Sequence, residues 1–379
     1  MKLSTLLAIT AAAAVSARPA LAPRADEVAE ADKYLIKLSE TEEKWVTEDE
    51  KWELRKQGIN FFDKTYSQAA SAETKVKRQA VSYPTTARFT SAVNSLISSL
   101  STSNMRTNLQ GLVAFNNRYY RSTTGSQSAT WLRDLVQDTI DAAGGGGTVA
   151  FFTHSSWSQN SIIATIPGQT DKTIVVGGHF DSINLNNPSS GRAPGADDDG
   201  SGSITNLEIL KAYLASSEVR AGNAVNTVEF HWYAAEEAGL LGSQAIFDSY
   251  SSQGRNVIAM LNHDMTGYTA GMTNAGQTIS LAVVTDYVNS ALSNFVRLMI
   301  RTYTSLPITT STCGYACSDH ASATDAGFPS AYVFESPDAY SSPYIHTTSD
   351  TLSTVDFTHM LDHAKAGLGF VYELAFTSF

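Results

Sequence analysis

The chain has 379 residues, 42% of them hydrophobic and 17% charged, and a formal net charge of −11. This is globular composition, long enough for one large core and an appendage. The acidic balance argues against a phosphate-backbone partner, which needs a basic stripe, so no nucleic acid is expected.

The N-terminus reads as an export signal. Lys2 supplies the positive start, an apolar run extends from Leu6 to Val15, and Val15-Ser16-Ala17 has the small residues of a cleavage site. The run is too short for a membrane helix, which takes ~20 apolar residues, and no later stretch approaches that length. Residues 1–17 are therefore expected to be a signal peptide, and the protein to be extracellular with no membrane span. The two cysteines, Cys313 and Cys317, would by default pair in a secreted chain. The alternative, a site built on two thiolates, lacks a second cysteine pair to complete it.

Residues 18–78 differ in composition from the remainder of the chain. Charges crowd together, as in Glu40-Thr41-Glu42-Glu43-Lys44 and Glu48-Asp49-Glu50-Lys51, and glycine is scarce. Tyr34, Leu35, Leu38, Trp45, Trp52 and Leu54 fall at loosely helical spacing. The segment ends at Lys77-Arg78, a dibasic target for a processing protease. These features predict a helical propeptide over 18–78, and then a catalytic domain over 79–379.

Helical patterns run over 86–101, 104–118 and 128–143, stopping at Gly144 to Gly147. Short β-branched runs come next, over 148–152, 161–166, 173–176, 225–232, 256–261, 278–284 and 330–334. Helical patterns over 203–216, 240–251 and 287–303 lie between them, and one over 356–376 closes the chain. The alternation predicts an α/β domain with helices on both faces of a sheet.

Chemistry-bearing residues gather where strands end. Thr173-Ile174-Val175-Val176 leads into Gly178-His179-Phe180-Asp181, which puts an imidazole where α/β proteins hold ligands. Asp181 is placed to fix its tautomer. Gly195-Ala196-Asp197-Asp198-Asp199-Gly200 sets three carboxylates side by side, and a shared cation would offset their repulsion. Glu236-Glu237 comes after the strand at 225–232; hydrolytic metal sites use such pairs, one Glu as ligand and its neighbour as general base. Asp264 closes the next strand, and His346 brings a second imidazole. Together these form a nitrogen and oxygen donor set for two zinc ions sharing one carboxylate. His231, His263 and His320 read as packing or hydrogen-bonding residues. There is no Gly-x-Ser-x-Gly elbow, no His-Glu-x-x-His helix and no phosphate-cradling loop.

The motifs His179-Phe180-Asp181, Gly195-Ala196-Asp197-Asp198-Asp199, Glu236-Glu237, Asp264-Met265 and Ile345-His346-Thr347-Thr348-Ser349-Asp350, in this order, resemble those of the secreted bacterial and fungal leucine aminopeptidases. The resemblance extends from about residue 85 to the C-terminus. It implies a zinc-dependent exopeptidase fold, one globular α/β domain with a mixed, mostly parallel sheet. It implies two zincs per chain bridged by Asp198, with Glu237 and His346 completing one site and His179 and Asp264 the other. Glu236 is then the general base, Asp181 and Asp350 support the ligands, and the Asp198–Asp199 bond is expected to be cis. Cys313-Gly314-Tyr315-Ala316-Cys317 resembles a disulfide-closed loop beside the substrate, with Tyr315 donating to the tetrahedral intermediate. Met265, Phe334, Tyr340 and Ile345 are expected on the wall of an apolar pocket, although Ser336-Pro337-Asp338-Ala339-Tyr340 supplies few aromatics for it. The expected substrate is a peptide with a free N-terminus and a large apolar first residue, and the enzyme is expected to be a monomer. Two alternatives share the scaffold, a single-zinc glutaminyl cyclase and an inactive binding ectodomain.

Overall fold

A computed structural model describes residues 33–67 and 80–379. The signal-peptide and Lys77-Arg78 expectations lie outside those residues. In chain order the elements are β1 (Lys33–Ser39), β2 (Glu42–Thr47), α1 (Glu48–Lys56), β3 (Phe62–Asp63), α2 (Thr90–Ile97), α3 (Thr102–Leu112), α4 (Thr123–Ala142), β4 (Thr148–Phe152), β5 (Ser161–Ile166) and β6 (Thr170–His179). Then come α5 (Gly200–Leu214), α6 (Ser217–Arg220), β7 (Asn226–Tyr233), α7 (Leu241–Ser252), β8 (Val257–His263), α8 (Ala270–Asn274), β9 (Leu281–Val284), α9 (Ser290–Tyr303), β10 (Ile308–Ser311), α10 (His320–Asp325), β11 (Ser330–Phe334) and α11 (Phe357–Ala375).

Eight strands form one mixed sheet in the order β10-β9-β11-β8-β6-β7-β5-β4. The central strands β11, β8, β6 and β7 all run parallel, so their carboxyl ends share one edge. The Thr173–Val176 run shows why it is apolar throughout. Ile174 and Val176 enter the large core with Ile209 of α5 and Leu368 of α11. Val175 faces the other way, into a cluster with Phe247 of α7 and Ala323 of α10. A strand covered on both faces has no solvent side on which to place polar residues.

The helical expectation for the N-terminal segment is corrected. Tyr34, Leu35 and Leu38 lie on β1 and Trp45 on β2, and only Trp52 and Leu54 lie on a helix, α1. β2, β1 and β3 make a small sheet. Apolar spacing in Tyr34–Leu38 fits period two as well as helix, and Ile36 at its centre is the residue buried, against Val46 and Phe61. α1 begins at a capping box, in which Thr47 Oγ1 accepts from Glu50 N–H and Glu50 accepts from Thr47 N–H. The predicted helix at 86–101 is confined to α2. Ser101 caps the separate α3, its hydroxyl accepting from Asn104 N–H. Residues Tyr34–Phe379 form one compact unit, so the composition shift near residue 78 does not divide two separately packed bodies.

Candidate active site

The shared edge of β6, β7, β8 and β11 carries the site. His179 is the last residue of β6, Glu236 and Glu237 come just after β7, and Asp264 just after β8. Asp198 comes from the loop before α5, and His346 from the loop after β11. Close approach at this edge depends on glycine: a Cβ on Gly178 would lie 2.0 Å from the His263 carbonyl oxygen. Three non-glycine residues in the feeding loops have left-handed backbone, Ala235 (φ 56°), Met265 (φ 57°) and His346 (φ 58°). Such strain gathers where a site dictates the backbone. The Asp198–Asp199 peptide is cis.

Asp198 is the centre of the geometry. Its Oδ1 lies 3.2 Å from His179 Nε2, which is 3.5 Å from Asp264 Oδ1. Its Oδ2 lies 3.0 Å from His346 Nε2, which is 2.9 Å from Glu237 Oε2. Each oxygen of one carboxylate therefore faces its own imidazole–carboxylate pair. The triplets His179–Asp198–Asp264 and Asp198–Glu237–His346 each converge closely enough to hold a cation. Glu237 Oε1 and Asp264 Oδ1 are buried without a hydrogen-bond partner. Buried acceptors left open in this way suit a divalent cation with nitrogen and oxygen ligands. A further cluster, Cys313–Cys317–His320, has both sulfurs tied in a disulfide.

The neighbouring carboxylates act as braces. Asp181 lies 3.3 Å from His179 Nδ1 and accepts from the backbone N–H groups of Glu236 (3.0 Å) and Glu237 (3.2 Å). Asp350 accepts from Asp197 N–H at 2.9 Å and Asp198 N–H at 3.0 Å. Asp199 Oδ1 accepts from Gly202 N–H in the first turn of α5 and from Met265 N–H, which fixes the loop of Asp198 to the loop of Asp264. Beneath them Arg118, fully buried, donates to the carbonyls of Phe180, Pro194 and Gly195.

Electrostatics separates the roles. Burial alone would push His179 down, yet the Asp264 and Glu236 charges and the close Asp181 and Asp198 carboxylates hold it well above its ordinary value. Burial also opposes charge on His346, but Glu237 and Asp198 raise it to about 10. Burial would lift Asp198, and the two histidines instead hold it well below the carboxylate range. Glu236 goes the other way: burial pushes it well above its ordinary value against the pull of Arg55 and His179.

A cleft opens beside these groups, lined by Met265, Phe334 and Ile345 together with Tyr332 and the two cysteines. Tyr340, expected on this wall, is not among its lining residues; Asp338 and Ser341 are. The Tyr340 carbonyl sits so close to Gly271 that a Cβ there would be 2.0 Å away, so the turn packs on α8. Tyr315 also lies outside the lining, with its ring edge-on to Phe62 and Tyr287. Two cleft residues come from the N-terminal segment, Arg55 and Asn60. Sequence reading missed these, and it missed Arg118, Asp319 and Glu335. Asp319 is buried and pushed up to about 7 by burial, with the His179 charge opposing. Buried Glu335 accepts from the N–H groups of Tyr268 and Ser342. Asn60 is neutral, Arg55 is one charge among several in its run, and no local pattern marks Arg118, Asp319 or Glu335 either.

A parallel-centred sheet that gathers two imidazoles and four carboxylates around one open, buried donor set defines a metal-dependent hydrolase. The chain belongs to peptidase family M28, whose sequence profile matches residues 161–371. It is similar to a probable leucine aminopeptidase 1 of Trichophyton verrucosum, 50% identical over 99% of this chain and all of that protein. Leucine aminopeptidase 1 of Trichophyton rubrum is similar to the same extent. Among solved structures, the LapA aminopeptidase of Legionella pneumophila superposes with a TM-score of 0.80 at 27% identity, covering 92% of this chain and 99% of that one.

Proposed function

We propose that the protein is an extracellular leucine aminopeptidase that removes one N-terminal residue at a time, with two zinc ions and Glu236 as general base. The observation that carries this reading is Asp198, whose two oxygens face two separate imidazole–carboxylate pairs. His179 and Asp264 would hold one zinc, Glu237 and His346 the other, and Asp198 both. Bound zinc supplies Lewis acidity, which polarises the peptide carbonyl and makes water a nucleophile at neutral pH.

The chain's own residues do the rest. Glu236 takes the proton of the attacking water and hands it to the leaving amine. Its environment suits the task, since burial raises its proton affinity. Asp181 keeps Glu236 and Glu237 in register by holding both their N–H groups. Tyr315 is the donor to the oxyanion of the tetrahedral intermediate that the resemblance implies, although its ring here packs on Phe62 and Tyr287, outside the cleft lining. A substrate's α-ammonium group binds among the carboxylates, and its first side chain lies against Met265, Phe334 and Ile345, which favours leucine and other large apolar residues. The protein is made with a signal peptide over 1–17 and a propeptide over 18–78, is cut at Lys77-Arg78, and works as a monomer.

The test is hydrolysis of leucine p-nitroanilide by protein cut after Arg78. Activity is expected to vanish on chelation, return with added Zn²⁺, and be absent on N-acetylated substrate. Full activity in metal-free protein, or cyclisation of N-terminal glutamine in place of cleavage, would overturn the reading.

A further inference from the structure

We propose that Asp338 lets the first-residue pocket take lysine and arginine as well as leucine, by setting an unpaired carboxylate on an otherwise apolar wall. This rests on the aminopeptidase reading above and narrows it to a substrate class.

The turn that carries Asp338 is fixed in orientation. Asp338–Tyr340 is a single 3-10 turn directly after β11 and its neighbour Glu335. In such a turn residues three apart lie one above the other. Asp338 and Ser341 therefore share a face, and both line the cleft. Tyr340 points its backbone elsewhere, its carbonyl lying against Gly271 of α8. Both ends of the turn are pinned. Asp338 N–H donates to Ser311 Oγ at 3.0 Å, at the end of β10. Ser342 N–H donates to buried Glu335 at 3.1 Å. The turn is closed by the Asp338 carbonyl, which accepts from Ser341 N–H at 3.1 Å and from the Ser341 hydroxyl at 2.8 Å.

All of that work is done by the Asp338 backbone. An aspartate kept for the sake of a turn accepts from a nearby backbone N–H, and among the described residues none donates to this carboxylate. No Lys or Arg pairs with it there either. It differs in this from Asp198, Asp264 and Glu236, which line the same cleft but are buried and engaged with His179. Arg55 is the one Lys or Arg among the described lining residues, and it belongs to the segment expected to be removed. Met265, Phe334 and Ile345 then offer apolar surface, with one exposed carboxylate beside it. Lysine and arginine match this combination, because their stems lie along apolar surface while the charged head stays in water. A leucine side chain uses the apolar part alone. An acidic first residue is repelled.

The experiment uses the full chain, produced intact, cut after Arg78 and loaded with zinc. The substrates are the p-nitroanilides of lysine, norleucine and leucine. Norleucine has the lysine stem without its ammonium group, so the lysine-to-norleucine ratio of kcat/KM isolates that charge and cancels any change in folding or zinc content. An exposed ion pair is worth roughly 1.5- to 5-fold in such a ratio. Asp338→Asn should lower the ratio by about that factor at low salt, mainly through KM. Asp338→Lys should lower it further. In wild type the ratio should fall from low salt to ~0.5 M NaCl, and in Asp338→Asn it should fall less. A ratio that is the same at low salt in wild type and Asp338→Asn would overturn the proposal. So would a wild-type protein that cleaves norleucine but not lysine. A protein that cleaves none of the three substrates would instead bring down the aminopeptidase reading itself.

Discussion

Strand β7 carries one buried glutamate in its middle and leads into two more, and the protein treats them differently. Glu229 is 2% exposed and fully engaged. It accepts from Tyr250 at 2.7 Å, from Arg255 at 2.7 Å and from His231 Nε2 at 3.1 Å. Burial would raise its pKa, but these partners pull it down to about 2. Glu236 and Glu237 are equally buried, yet their side chains meet histidines and one arginine from a distant segment. One Glu237 oxygen has no partner at all. A buried acid that is saturated with donors stabilises the fold. One that is left open is held ready for something the fold does not itself supply.

The comparison breaks if the two kinds of glutamate respond alike to losing their charge. In the chain cut after Arg78, Glu236→Gln keeps the shape but removes proton acceptance, and kcat should fall by ~10²–10⁴-fold, the scale of general-base catalysis, with unchanged thermal stability. Stopped turnover with an intact melting curve is the expected pattern. Asp181→Asn sharpens the contrast, because Asp181 acts only through His179 and the Glu236–Glu237 backbone. Removing such a support typically costs ~10–100-fold in metal affinity or activity, so a titration with Zn²⁺ should shift by that factor. An unshifted titration would mean that Asp181 holds nothing the site needs.

Glu229→Gln should do the reverse. Kinetics should be unchanged, while stability at neutral pH falls by ~1–3 kcal/mol as the donors around Glu229 lose a charged acceptor. The pH dependence has a definite sign. The folded pKa of about 2 lies below the unfolded value of ~4.3, so the carboxylate stabilises the fold fully above pH ~4.3 and progressively less as pH falls toward 2. Urea titrations of wild type and variant should therefore converge in that acid window. A gap that stays constant down to pH 2 would show that shape rather than charge is at work.

The difference between these glutamates was partly legible in the sequence. Glu236-Glu237 stands out as a pair after an apolar strand, His179 and Asp264 end or succeed strands whose β-branched runs announce them, and Asp198 stands out in its run of three aspartates. The strands at 173–176 and 330–334 read clearly because burial on both faces leaves no polar interruption. The N-terminal segment read wrongly, because five residues of β1 give too few turns to separate period two from a helical period. Arg55 was hidden for a different reason. It sits in the charge-rich run Lys51–Lys56, and its partners are 181 and 182 residues away. Asp338 and Ser341 stayed unassigned because which face of a short turn meets the cleft depends on how Tyr340 packs on Gly271.

The central claim is that Glu236 works on a proton while Glu237 and Asp198 hold metal. The measurement that tests it most directly is the zinc bound per chain in cut wild type and cut Glu236→Gln, prepared side by side. Two zincs are expected in both, with turnover lost only in the variant. One zinc in wild type, or fewer in the variant than in wild type, would contradict it.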